Sequence, residues 1–409
     1  LLLLLSGCAG YKNSIEKSWY HATRGEHARA LELLENSSLA SSSKHKLLYL
    51  MEKGILQHLA GEYKASNQTL DEADRLAEEL YTVSVSDTTL SFITNDNMLE
   101  YAGTDYETAY ISYAKILNYL KLGDLEGGRV ESRRIDEKLN YLSDTYPDGQ
   151  GFKDSPFLRM ITGFIYEALG EYNDAFIAYR KSLIGYHSGH EPGVEAPPFI
   201  WPRLNLSARK SGLVEDARQL RKSYPSPSSD EVGSPTAIVL LAGYGSAPVL
   251  EERSMVVPSG KGYPIKIAMP ELVPRTRSGP KLRIEVDDSP TEPLSTAADI
   301  NSIARESLNA RHGKIMAKAI ARAVAKQATA RQANKQGGDL AGLTMQLAAF
   351  FTERADLRAW DNLPARILVG VVPAEAGPRN VSLVRRGDEQ TFDVKIKENR
   401  LNFIVTRLF

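Results

Sequence analysis

A glycine-punctuated helical register, repeated through the first half of the chain, limits the folds available to it more than any other feature. In its clearest instance, Gly163-x-x-Tyr166-x-x-x-Gly170-Glu171-Tyr172-x-x-Ala175-x-x-x-Tyr179-x-x-Ser182 reads as two helices around a tight turn. The small Gly163 lets the helices approach, and Gly170 takes the left-handed backbone that a short turn needs. Tyr172, Ala175 and Tyr179 are expected on the inward face of the second helix. The same turn recurs at Gly25-Glu26-His27, Gly61-Glu62-Tyr63, Gly123-Asp124-Leu125 and Gly212-Leu213-Val214, with Gly54 at a second helix-contact position. Spacings of 36, 62, 47 and 42 residues make an irregular array of helix pairs, running to about Lys222. The longest gap holds Tyr81-Thr82-Val83-Ser84-Val85 and Asn95-Asp96-Asn97, read as an insertion. A non-repeat helical bundle with glycine-capped turns is the alternative.

This register resembles the tetratricopeptide repeat (TPR), a helix-turn-helix unit of about 34 residues. The resemblance implies stacked helix pairs whose first helices line a concave surface that binds a peptide, a helix or a protein. Tyr110, Tyr113 and Lys115, on a first helix, are the candidate partner-binding residues.

A chain of 409 residues exceeds what one core usually serves, so two domains are expected. Ser223-Tyr224-Pro225-Ser226-Pro227-Ser228-Ser229-Asp230 cannot continue a helix and reads as a linker over 223–235, after a helical domain over 11–222. Beyond it the apolar period shortens. Strands are expected at Ile238–Leu241, Tyr263–Ile267, Leu282–Val286, Ile367–Val372, Val381–Val384, Phe392–Ile396 and Phe403–Val405. Between them lies a helix pair over 296–357, opened by a capping box at Thr296-x-x-Asp299 and broken at Gly337-Gly338. The fold class is therefore α plus α+β: a TPR-like array, then a mainly antiparallel sheet domain over 236–409 with an inserted helix pair.

Asn95-Asp96-Asn97 with Tyr101-x-Gly103-x-Asp105-Tyr106-Glu107 is followed by Leu117-Asn118-Tyr119-Leu120-x-x-Gly123-Asp124 and Val130-Glu131-x-Arg133-Arg134. Ala355-Asp356-Leu357-Arg358-x-Trp360-x-x-Leu363-Pro364 completes the pattern. Together these segments resemble a family of uncharacterised Gram-negative lipoproteins with an N-terminal TPR-like region, along nearly the whole chain. Gly128 departs from the pattern, where alanine is expected. The resemblance carries no established activity.

Cys8 is the sole cysteine, so no disulfide framework exists. It follows Leu1–Leu5 and Ser6-Gly7, an apolar run ending in small residues as a secretory signal does. Leu5-Ser6-Gly7-Cys8 resembles a bacterial lipobox, which implies diacylation of Cys8, with residues 1–10 a signal remnant. Ala9, not aspartate, follows the cysteine, and by resemblance to bacterial sorting rules this favours the periplasmic face of the outer membrane. No other stretch approaches the roughly 20 apolar residues that span a bilayer, so the expected topology is anchored, not spanning. A formal net charge of −1 exerts no global pull on nucleic acid, and no nucleic-acid partner is expected.

Signals for catalysis are sparse. His187 and His190 stand three apart, but Ser188-Gly189 and Pro192-Gly193 place them in a loop without a third ligand, so no metal is expected. Gly243-Tyr244-Gly245 reads as a tight turn after a strand, not a phosphate loop, and the Gly-x-Ser-x-Gly nucleophile frame is absent. Glu131, Arg133, Arg134, Asp136 and Glu137 read as a solvated helix face, with a binding surface as the alternative. Arg358 is expected to grip a carboxylate in bidentate fashion while Trp360 packs under the sheet. Lys314, Lys318, Arg322 and Lys326 recur every four residues, a stripe read as solvated or as a candidate membrane or partner surface. The expectation is a lipid-anchored periplasmic adaptor with a protein partner, no cofactor and no catalytic residues. The alternatives are an envelope-acting hydrolase or transferase with its site in the C-terminal domain, or a homo-oligomeric assembly subunit.

Overall fold

The computed structural model describes residues 7–86, 98–145, 152, 154–258, 264–276, 279, 281–385 and 388–409. Leu1–Ser6 and Asn95–Asn97 lie outside them, as does the structural setting of the lipobox-like run; Gly7 and Cys8 open the first helix.

The glycine turns join helices pairwise. Gly25 links α1 (Gly7–Ala22) to α2 (His27–Glu35), and Gly61 links α3 (Lys46–Leu59) to α4 (Tyr63–Ser86). Gly123, Gly170 and Gly212 join α5 (Asp105–Leu122) to α6 (Leu125–Thr145), α7 (Pro156–Leu169) to α8 (Tyr172–His187), and α9 (Ile200–Ser211) to α10 (Val214–Ser223). All five have φ between 70° and 81°, and a Cβ on any of them would meet no atom within 4 Å. Backbone conformation, not space, requires glycine there. Gly54 and Gly163 differ: a Cβ would stand 2.5 Å from Leu70 Cδ2 and 2.6 Å from Tyr179 Cε1, respectively. Local chemistry also sets α7, whose N-cap Ser155 accepts a hydrogen bond from the Leu158 N–H at 3.3 Å, with Pro156 at the first helical position. Tyr81–Val85 is not an insertion; those residues continue α4.

Two compact units form, and they cut across the division expected from sequence. One takes Leu1–Thr104, Pro248–Pro274 and Ser307–Asp361; the other takes Asp105–Ala247, Arg275–Glu306 and Asn362–Phe409. In the second unit, β1 (Ala237–Tyr244) is flanked by β10 (Leu401–Leu408) and β7 (Arg366–Pro373), and β6 (Ser295–Asp299) completes the order β10-β1-β7-β6. The β1·β10 pair is parallel and the others antiparallel. A second sheet, β5-β4-β8-β9, is built from β4 (Arg283–Val286), β5 (Ser289–Pro293), β8 (Gly377–Arg385) and β9 (Asp388–Ile396), all antiparallel. Ile238, Leu240, Leu368 and Ile404 of the first sheet share one buried cluster with Ile284, Val381, Leu383 and Ile396 of the second. These are the inward positions of alternating strands, so the sheets pack as layers. In the first unit, β2 (Val249–Pro258) and β3 (Pro264–Val273) form a two-stranded antiparallel hairpin.

Three expectations fail for physical reasons. Thr296 does not cap a helix, since it pairs with Leu368 inside β6; Asp299 caps instead, its Oδ1 accepting from the Ser302 N–H at 3.2 Å. Gly337-Gly338 does not break the helix that follows, because α11 (Ile300–Thr352) runs through both. Two interior glycines cost roughly 1 kcal/mol each against alanine, a penalty that the alanine-rich flanks of α11 offset. Nor does 223–235 hang free. The Asn205 amide donates to the carbonyls of Ser229 (3.0 Å) and Glu231 (2.6 Å), the Gly233 N–H to that of Pro202 (2.8 Å), and Arg203 to that of Ser234 (2.7 Å). Composition excluded helix there without excluding a pinned backbone.

Candidate functional site

Tyr110, Tyr113 and Lys115 do not line an open surface: all three are buried, Tyr110 and Lys115 completely. Neighbouring helices and the sheet both contribute. α5 and α7, first helices of their pairs, both lie against β10, so the chain covers with its own strand the face expected to take a partner. Tyr110 and Tyr113 pack on Phe157 with ring centroids 6.3 and 5.1 Å away. Nearby, the Tyr186 hydroxyl donates to the Ala297 carbonyl at 2.7 Å, tying α8 to β6.

Several buried charges in this array are paired. Lys115 Nζ lies 2.7 Å from Glu131, with both side chains buried, so part of the run read as a solvated face points inward. Arg159 binds Asp136 (2.5 Å), Asp154 (3.0 Å) and Asn140 (2.9 Å). Arg203 binds Glu167 at 2.8 Å, and the Tyr179 hydroxyl donates to the same carboxylate at 2.8 Å. Burial pushes the Glu167 carboxyl up, against the pull of Arg203 and Tyr179. The Glu191 carboxyl is held by hydroxyl and backbone donors. Glu191 is buried beside the N-terminus of α7, accepts from Ser155 Oγ at 3.3 Å, and is pushed up to about 8, above all by desolvation. Hydrogen bonds from Ser155 and the backbone of Phe157 and Asp299 oppose that rise.

The basic stripe on α11 splits. Lys314 is exposed and Lys318 half-buried, whereas Arg322 and Lys326 turn inward to Glu353 at 3.3 and 2.7 Å. Four-residue spacing drifts around a helix of 3.6 residues per turn, so these four cations share no solvent face. Lys266 Nζ donates to the Glu353 carbonyl (3.0 Å) and to Glu252 (2.7 Å), whose second oxygen accepts from the Ala355 N–H (3.0 Å). Arg358 grips Asp356 through two nitrogens (2.9 and 2.7 Å), donates to the carbonyls of Lys44 and Leu99, and lies over the Tyr101 ring. The bidentate expectation holds, and these groups fasten segments to one another.

The outward face of α6 carries part of the charged run that sequence reasoning offered as a binding surface, but its apolar ends were not foreseen. Gly128, Ser132, Ile135, Leu139 and Leu142 point inward, leaving Val130, Arg134, Glu137 and Tyr141 at spacings of four, three and four on the other side. Val130 and Tyr141 are 51% and 53% exposed, apolar ends around a charged centre. The signal was available in the periodicity of α6 once its buried face is known. Among the described residues no group of His, Cys, Asp and Glu is arranged to hold a metal, and no helix is long and apolar enough to cross a membrane.

No family model matches the chain, and no curated protein matches it. A solved structure titled MamA AMB-1 aligns over 52% of this chain and 88% of its own, at 13% identity and a TM-score of 0.30. Neither a common fold nor a common function follows from a likeness of that size.

Proposed function

We propose that the chain is a lipid-anchored, periplasm-facing adaptor that binds a protein partner through the second helices of its array, with α6 as the contact. The observation that carries this reading is the outward stripe of α6, where Val130 and Tyr141 remain exposed. Partner contacts favour such a mixture, in which an aromatic ring supplies area and flanking charges supply orientation. Two first helices, α5 and α7, lie against β10, so in these pairs the exposed faces of the second helices are what the array offers. Acylation at Cys8 would hold the adaptor at the membrane, and binding, not catalysis, would be its work.

A photo-crosslinking residue at position 130 or 141, in cells, tests the contact, with the exposed Val214 of α10 as control position. The expected result is one shared adduct from 130 and 141 and none from 214. Silence at both α6 positions overturns the assignment. Acylation is tested separately by metabolic labelling with a fatty acid, expected in the wild type and lost in Cys8→Ser.

A further inference from the structure

The β2–β3 hairpin carries a feature that the adaptor reading does not use. Met255, Val256 and Val257 follow one another on β2 with exposures of 47%, 56% and 41%. Successive strand residues point to opposite faces, so Met255 and Val257 lie on one face, level with Ile267 and Ile265, while Val256 lies on the other, level with Lys266. Arg253 and Ser254 are exposed as well, and among the described residues no strand pairs with the outer edge of β2. The hairpin is held to its unit through Lys12 on the Leu250 carbonyl and Lys266 on the Glu353 carbonyl. Among the described residues no such bond to the rest of the unit is made by the β2 side chains from Arg253 to Val257.

The two edges are not equivalent. Pro270 lies opposite Glu252, and Pro264 opposite Pro258. A proline cannot exchange two backbone hydrogen bonds with its partner, so the even-numbered positions are those whose backbone groups point outward. The Leu250 carbonyl accepting from Lys12 Nζ at 3.3 Å agrees with that parity. β3 therefore lacks outward N–H groups at 264 and 270, a standard guard against edge pairing. β2 lacks one at Pro258 but keeps those of Ser254 and Val256, which flank Met255.

We infer that the open edge of β2 pairs with β2 of a second copy of this chain, antiparallel about a two-fold axis, to make a four-stranded sheet. The parity pairs even residues with even residues, and the register centred on Met255 places its side chain against its own equivalent. Ser254 exchanges both backbone bonds with Val256 of the second copy, and the reverse, giving four hydrogen bonds. Met255 then faces its own equivalent, and Arg253 faces Val257, so no like charges oppose one another. This self-complementarity is what selects a second copy: the interface is isologous, as a two-fold dimer requires. A lipid surface would cover the apolar side chains but leave the edge N–H and C=O groups unpaired.

The test uses the full chain carrying Cys8→Ser, which removes the single native thiol and the acylation site. Analytical ultracentrifugation should find a dimer, and Val256→Lys should weaken its dissociation constant at least about tenfold without changing the circular dichroism or the melting temperature. Added to that background, Met255→Cys should form an intermolecular disulfide on mild oxidation, because residues facing at a non-hydrogen-bonded pair have Cα atoms about 4.5 Å apart. A chain that stays monomeric at its highest soluble concentration and does not cross-link overturns the inference. So does a dimer that survives Val256→Lys without cross-linking through position 255, since its interface lies elsewhere. A monomer that floats with phosphatidylglycerol vesicles, and loses them in Val256→Lys, overturns it in favour of lipid.

Discussion

Gly163 and Tyr179 are complementary across the α7–α8 contact: the ring of one occupies the space where the other has no side chain. A Cβ on Gly163 would stand 2.6 Å from Tyr179 Cε1 and 2.7 Å from Cδ1. The ring cannot retreat cheaply, because its hydroxyl donates to Glu167 at 2.8 Å and that carboxylate also holds Arg203. Gly163→Ala should therefore destabilise the protein by about 1–3 kcal/mol, as overpacking does. Urea melts of the wild type and variant measure it, and an unchanged midpoint would show that the ring moves freely.

Gly128 gives the opposite sign. It lies inside α6, and its Cβ would meet Ile165 Cδ1 at 3.4 Å, an ordinary contact. Gly128→Ala should stabilise by about 0.5–1 kcal/mol, since glycine in a helix loses more backbone freedom on folding. A lowered melting temperature would mean that α6 and α7 are packed more tightly than that distance allows.

Lys115 should behave as part of the core. Removing one partner of a buried ion pair leaves the other charge stranded at a cost of roughly 3–5 kcal/mol, whereas replacing both with apolar residues is often neutral. Lys115→Ala should thus lower stability sharply, and Lys115→Met combined with Glu131→Met should recover most of the loss. Equal stability of the single and double variants, read from denaturant midpoints, would remove the pair from the account.

What was legible in the sequence follows from how far away each cause lies. The turn glycines were readable because left-handed backbone is demanded within four residues, and all five have positive φ. Gly54 and Gly163 were readable because the facing residue belongs to the adjoining helix. The strands were readable from period, apart from β2, β5 and β6, whose polar residues hide it. Tyr110 and Tyr113 were misplaced because Phe157 and, beyond it in the chain, β10 close over α5, and Lys115 because it turns to Glu131 of α6. Arg322 and Lys326 were misplaced because Glu353 lies beyond the glycine pair that seemed to end their helix. The α6 surface needed the buried face to be known first.

Glu191 should make stability fall as pH rises. Its carboxyl moves from 4.5 to about 8 on folding. Below pH 4.5 it is protonated in both states and contributes nothing to the difference. Between 4.5 and 8 the unfolded chain ionises while the folded chain keeps its proton, so the unfolded state binds fewer protons and stability declines. Above 8 both states are ionised and the penalty levels off. Glu191→Gln, which preserves an acceptor for Ser155, should match the wild type below pH 4.5 and gain on it steadily up to about pH 8. Parallel melting curves across that range would show that the buried carboxyl titrates normally.

The segment 223–235 should resist proteolysis despite its composition. Cleavage requires about a dozen residues of backbone to leave the surface and enter a protease cleft, so susceptibility follows local opening more than sequence. Here the backbone is held from α9: the Asn205 amide takes the carbonyls of Ser229 and Glu231, and Pro202 and Arg203 take the Gly233 N–H and the Ser234 carbonyl. Ser228 and Ser229 are buried, and Ser228 Oγ donates to the Pro198 carbonyl at 2.8 Å. Asn205→Ala removes two of these bonds at once. At about 0.5–1.5 kcal/mol each, their loss should raise the open population roughly five- to 150-fold, with global stability less affected than local protection. Limited proteolysis should leave the wild-type segment intact while Asn205→Ala is cut between Ser226 and Pro235. Equal cleavage of both proteins within this segment would mean that the Asn205 bonds do not hold it in solution.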